Sequence, residues 1–101
     1  AQENTYIFKF IGFSRRDREK IEESLLDLST GRDRDMKILE GPKMTGTKVE
    51  YKVKWLRTKD YQHNVVNTVK EFCEENGLRI DFKSRQGFLL FIPIEMESDD
   101  E

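Results

Sequence analysis

Residues 48–55 read KVEYKVKW. Val49, Tyr51, Val53 and Trp55 alternate with Lys48, Glu50, Lys52 and Lys54, the period of an extended chain whose successive side chains point to opposite faces. One face of this strand is therefore buried and the other wet. A sheet containing it needs cover on one side only, and that cover must carry single apolar stripes.

Two flanking segments have such stripes. Upstream, Ser14 with Asp17 three residues later marks a helix start. Ile21, Leu25 and Leu28 then recur at helical spacing, with Leu26 widening the stripe. Gly31 is expected to end this helix in the left-handed conformation that glycine tolerates. Downstream, a second helix is expected from Thr58 or Asp60, with Tyr61, Val65, Val69, Phe72 and Cys73 on one side and Val66 beside them. Asn76 and Gly77 end it, and Leu78 stands where an apolar residue folds back onto the last turn.

The other extended segments complete the order. In Thr5–Gly12, Tyr6, Phe8 and Phe10 point one way and Ile7, Lys9 and Ile11 the other, largely apolar on both sides as in a central strand. Arg32–Asp35 alternates in sign and is expected in solvent before a short strand at Met36–Glu40. Gly41–Thr47, with two glycines and a proline, reads as a flexible hairpin connection. Leu78–Lys83 sets Ile80 and Phe82 against Arg79, Asp81 and Lys83. A tight Ser84–Gly87 turn leads to Phe88–Ile94, the two segments forming either a hairpin or one bent strand with a bulge. In Phe88–Ile94 the larger set, Phe88, Leu90, Ile92 and Ile94, is expected inward, and Leu89 and Phe91 outward. The order β-α-β-β-α-β, with room for an extra C-terminal strand, predicts an α+β, ferredoxin-like two-layer sandwich. Residues 1–94 form the domain, and 95–101 an acidic tail expected to be flexible.

Composition bounds the function. The chain has 101 residues, 36% hydrophobic and 38% charged, one domain's worth of sequence. Its longest dense apolar run, Phe88–Ile94, is far short of the ~20 residues of a spanning helix, so no membrane partner is expected. A single cysteine, Cys73, excludes an intrachain disulfide and a multi-cysteine metal site. There is no signal-peptide pattern at the start; the compartment is left undecided, with a cytoplasmic location slightly favoured. Ala at position 1 allows the chain to be part of a longer one. The formal net charge is −2. Glu95, Glu97, Asp99, Asp100 and Glu101 lie in a tail without lysine or arginine, which leaves the first 94 residues at +3.

Helices on the aromatic side of the sheet leave the other side open. Lys9, Lys48, Glu50, Lys52, Lys54, Arg79, Asp81 and Lys83 are expected there, joined by Ile7, Ile11, Leu89 and Phe91. Lysines alternating with apolar residues are also the ordinary wet face of a strand and discourage edge association. As a binding surface, Lys9, Lys48, Lys52, Lys54, Arg79, Lys83, Leu89 and Phe91 suit a non-enzymatic protein-interaction or assembly module, using the open face or an edge to hold a protein partner or a second copy in a homodimer. The alternative is RNA or single-stranded nucleic-acid binding through the basic face, with lysines on phosphates. The strands lack the glycine-aromatic motif of RNA-recognition domains.

Other features point elsewhere more weakly. Arg15 and Arg16, with Arg18, crowd positive charge at a helix start, where the dipole disfavours it, and make Arg15 and Arg16 a candidate anion site. His63 has no recognisable paired nucleophile, Cys73 lies in a core stripe, and arginines are interspersed among Asp33, Asp35 and Glu40. No catalytic residue, metal site or cofactor is expected, and no phosphate-binding G-x-x-x-x-G-K-[ST] motif occurs.

Overall fold

The computed structural model describes residues 5–31, 36–56 and 62–94. The elements run β1 (Thr5–Ile11), α1 (Arg15–Thr30), β2 (Met36–Thr45), β3 (Lys48–Trp55), α2 (Gln62–Glu75), β4 (Ile80–Arg85) and β5 (Phe88–Pro93). The strands form one sheet in the order β2-β3-β1-β5-β4. β3 is antiparallel to β1 and β2, β5 is parallel to β1, and β4 is antiparallel to β5. The chain is a ferredoxin-like mixed α+β sandwich with β-α-β-β-α-β topology and an extra strand. That strand, β5, turns back from β4 and inserts between it and β1, which moves β4 out to the sheet edge.

Local chemistry explains the helix ends. The Ser14 hydroxyl accepts the Asp17 backbone N–H at 3.2 Å and caps α1. At the other end Gly31 is extended, with φ −68° and ψ 176°, and not left-handed as expected. Its N–H donates to the Asp27 carbonyl at 2.8 Å, and a Cβ there would lie 2.7 Å from that oxygen. Lack of bulk, rather than access to positive φ, is what glycine supplies here. α2 closes as its sequence predicts: Gly77 has φ +84°, the Leu78 N–H donates to the Cys73 carbonyl at 2.9 Å, and Leu78 is buried. The expected start at Thr58 or Asp60, Tyr61, and the Arg32–Asp35 segment lie outside the described residues.

β2 differs most from expectation. It extends to Thr45, so Gly41–Thr45 is strand and only Gly46 and Thr47 join it to Lys48. The register shifts between Ile38 and Glu40 and again between Glu40 and Lys43. These irregularities break the alternation by which a strand is recognised, and they suit an edge that must not pair further. At Gly41 the backbone runs so close to β3 that a Cβ would sit 2.8 Å from the Glu50 carbonyl oxygen.

The core lies between the sheet and the helices. Phe8, Phe10, Met36, Val49, Tyr51, Val53, Trp55, Ile80 and Phe91 meet Ile21, Leu25 and Leu28 of α1 and Val65, Val69 and Cys73 of α2. Phe13, ahead of α1, joins them, and Tyr6, Ile38, Phe72 and Phe82 pack on the margin. The helices are also joined by polar contacts. The Ser24 hydroxyl donates to the Lys20 carbonyl at 2.8 Å and the Phe72 carbonyl at 3.3 Å. The Asn76 amide donates to the Ser24 hydroxyl at 2.8 Å and the Phe72 carbonyl at 3.1 Å.

The phase of β5 is the reverse of the expected one. Leu89 and Phe91 are buried, and Phe88, Leu90 and Ile92 are half-buried on the opposite side. Phe91 lies level with Phe10 across the parallel pair, their rings stacked at 4.9 Å between centroids and 17°. Phe8 and Phe82 also contact the Phe91 ring. Phe91→Ala should therefore cost about 3–5 kcal/mol in chemical denaturation, as expected for emptying a core aromatic site. Leu90→Ala should cost about 1 kcal/mol, because a half-buried leucine forfeits only part of its transfer free energy. The opposite ranking contradicts this phase.

Candidate functional site

The helix-free side of the sheet is assembled by strand register. Lys83 of β4 faces Leu90 of β5, which faces Lys9 of β1, then Glu50 of β3 and Lys43 of β2. On one side of this row Asp81 pairs with Ile92, and Ile11 with Lys48 and Thr45. On the other, Arg85 pairs with Phe88, and Ile7 with Lys52 and Glu40. Thr5, Lys54 and Lys37 form the outermost row. With strands about 4.8 Å apart and a rise of about 3.4 Å per residue, these side chains cover a patch roughly 20 Å on a side.

The patch has a consistent chemistry. Lys9, Lys37, Lys43, Lys48, Lys52, Lys54, Lys83 and Arg85 stand against Glu40, Glu50 and Asp81, and Glu40 is paired with Lys43 at 3.3 Å. Lys9, Lys48 and Lys52 are half-buried, as long side chains with apolar stems and charged heads allow. Between them Ile7, Ile11, Phe88, Leu90 and Ile92 form a half-buried apolar strip. The Lys9 ammonium lies 4.0 Å from the centroid of the Phe88 ring, a cation–π contact. Beside Phe88 is a depression of about 310 Å³ lined by residues including Ile7, Lys52, Arg85 and Gly87.

The expected surface residues divide clearly. Lys9, Lys48, Lys52, Lys54 and Lys83 come together on this face. Arg79 is exposed but precedes β4 and takes no place in the sheet. Leu89 and Phe91 belong to the core and are unavailable to a partner, because β5 is apolar on both sides and its phase follows from register. Phe88, Leu90, Ile92 and Arg85 stand on the face instead. The signal for them is the two-residue turn Gln86–Gly87, which sets Arg85 opposite Phe88 and Phe82 opposite Phe91. Gly87 has φ +89°, a turn conformation suited to glycine.

Arg15 and Arg16 are exposed at the start of α1 but line different depressions, Arg15 one of about 310 Å³ and Arg16 one of about 400 Å³. Both are shared with Glu19 and Glu22, carboxylates that compete with an incoming anion. A further groove of about 360 Å³ between α1 and β2 includes Leu26, Ile38, Pro42 and Tyr51 in its lining. Burial, then the nearby Glu22 carboxylate, pushes the Tyr51 phenol well above its ordinary range.

No helix among the described residues is long and apolar enough to cross a membrane, and no group of three or more His, Cys, Asp and Glu side chains among them could hold a metal ion. No family model, curated protein or solved structure matches the chain.

Cys73 lies in the core. Burial pushes its thiol up to about 11 from an ordinary 9, with a Ser24 hydrogen bond lowering it and Glu74 raising it. The folded thiol therefore stays protonated at neutral pH. A disulfide reagent at pH 8 should leave it unmodified in the native protein and label it rapidly in denaturant. Because the folded value is the higher one, this group's contribution to stability is complete below pH 9 and declines as pH rises through about 11. Rapid labelling of the native protein contradicts the burial.

Proposed function

We propose that the chain is a non-enzymatic binding module whose open sheet face holds RNA or single-stranded nucleic acid. The observation carrying this reading is the gathering of Lys9, Lys48, Lys52, Lys54, Lys83 and Arg85 on one plane of a chain whose net charge is −2. A nucleic-acid strand presents phosphates at regular spacing, and cations spread over such a plane neutralise several of them at once while releasing condensed counterions. Opposite charge also speeds encounter and sets orientation.

Leu89 and Phe91 lie in the core and anchor no partner; the surplus of cations over Glu40, Glu50 and Asp81 on this face is what favours a polyanion over the protein partner first suggested by the sequence. A specific observation still supports a protein partner or a homodimer as the second reading. The strip of Ile7, Ile11, Phe88, Leu90 and Ile92 lies on the same face, and apolar side chains central to a charged surface are common in protein interfaces.

Salt separates the two. If Lys9, Lys52, Lys54, Lys83 and Arg85 each engage one phosphate, affinity for an unstructured oligoribonucleotide should fall roughly a hundredfold between 50 and 200 mM salt. Fluorescence anisotropy measures this, and Lys52→Glu combined with Lys54→Glu should abolish most of the binding at low salt. Absence of binding at 50 mM salt contradicts the reading. A concentration-dependent dimer mass in light scattering, insensitive to salt, supports the homodimer instead.

A further inference from the structure

We propose that the depression beside Phe88 is a base-binding subsite, in which one unpaired base stacks on the Phe88 ring while its flanking phosphates lie on Lys52 and Arg85. This rests on the nucleic-acid reading above and adds to it a preference for unpaired strands.

The first argument is the position of the aromatic. Tyr6, Phe8, Phe10, Tyr51, Trp55, Phe82 and Phe91 all lie on the helix-covered side of the sheet. Phe88 is the one aromatic among the described residues whose strand position turns it to the open face, and it is half-buried there. A base can use it without unpacking the core.

The second argument is the arrangement around the ring. Lys9, level with Leu90 and so further along the strands than Phe88, places its ammonium 4.0 Å from the ring centroid. The depression is lined on β1 by Thr5, Tyr6 and Ile7 and at the hairpin by Gly87, and Lys9 does not line it. Phe88 thus contacts a cation and also lines a hollow of about 310 Å³ that the cation does not line. A base entering the hollow meets the ring without displacing Lys9. Gly87 forms part of the wall, and even a Cβ on it would find no heavy atom within 4 Å, so the entrance is open.

The third argument is charge at the rim. Lys52 reaches the depression from β3 and Arg85 from β4. One Arg85 N–H is used by the Ser84 carbonyl at 2.8 Å, and a guanidinium has five donors in all, enough to hold itself in place and still meet a phosphate. Cations on two sides of a stacking ring are the pairing by which single strands are bound without regard to sequence. A base in a duplex is stacked within its helix, so its face cannot reach Phe88.

Wild-type protein and the Phe88→Ala, Phe88→Trp and Arg85→Gln variants are compared on a labelled 12-nucleotide RNA, on the same RNA in a duplex, and on that RNA carrying one 2-aminopurine. Circular dichroism and thermal unfolding establish that each variant is folded. Phe88→Ala should weaken single-strand binding about tenfold or more without changing its salt slope, and should abolish 2-aminopurine quenching. Phe88→Trp should retain both, and duplex binding should not respond to either change. Arg85→Gln, at the exposed rim of the depression, should reduce the salt slope by about 0.7 while leaving 2-aminopurine quenching in place. Single-strand binding by Phe88→Ala within twofold of wild type overturns the subsite but not the basic face. So does failure of folded Phe88→Trp to bind better than Phe88→Ala. Failure of the wild-type protein to bind any of the RNAs overturns the functional reading and the subsite together. A wild-type dimer that Phe88→Ala dissociates assigns the ring to a second copy and overturns the subsite.

Discussion

The stack of Phe10 on Phe91, across the parallel pair of β1 and β5, is the contact on which the surface of this protein depends. Side chains in a strand alternate with a period of two, so fixing one residue fixes the face of every other. With Phe91 held under the helices by Phe8, Phe10 and Phe82, Phe88, Leu90 and Ile92 must point away from them. The hairpin carries the same phase into β4, which puts Lys83 and Arg85 on the open side. A slip of one residue would exchange the two sets, burying Phe88 and Leu90 while Phe91 met solvent beside the lysines.

The open face carries a surplus of positive charge that Glu40, Glu50 and Asp81 offset only in part. Lys52 and Lys54 share it two residues apart, about 6.8 Å along the strand, where their repulsion is about 0.6 kcal/mol even in water. Lys37 also pairs directly with Lys54, whereas Glu50 stands between Lys9 and Lys43 and answers both. Stability of the fold does not require this segregation, since acidic residues at several of these exposed positions would relieve the strain without touching the core. A bound polyanion relieves it too. The α1 surface is different in kind: Arg15, Arg16 and Arg18 are interspersed with Asp17, Glu19, Glu22 and Glu23, so positive charge is answered within a turn or two of the helix.

Much of the architecture was legible because its signals are local and periodic. KVEYKVKW, the stripes of α1 and α2, the Ser14 cap and the Gly77–Leu78 ending each follow from residues close together in the chain, and they were enough for the sandwich and for the shared face of Lys48, Lys52 and Lys54. β2 was cut short because its bulges and its Gly41–Pro42 step imitate a loop, although β3 supplies it with partners as far as Thr45. The phase of β5 is hidden for a different reason. A strand apolar on both sides carries no internal sign of which side is the core, so Phe88–Ile94 alone leaves both phases open. The deciding signal lay outside the strand, in the alternation of Ile80 and Phe82 transmitted through a two-residue turn. That phase puts Phe88 on the open face and Leu89 and Phe91 in the core.

The central claim concerns which surface is used, and chemical-shift mapping tests it most directly. An unstructured oligoribonucleotide titrated into isotopically labelled protein should perturb Ile7, Lys9, Lys52, Phe88 and Leu90, leaving the outer faces of α1 and α2 and the groove between α1 and β2 unchanged. Perturbations that gather on the helices or in that groove, with the sheet face silent, would contradict the account.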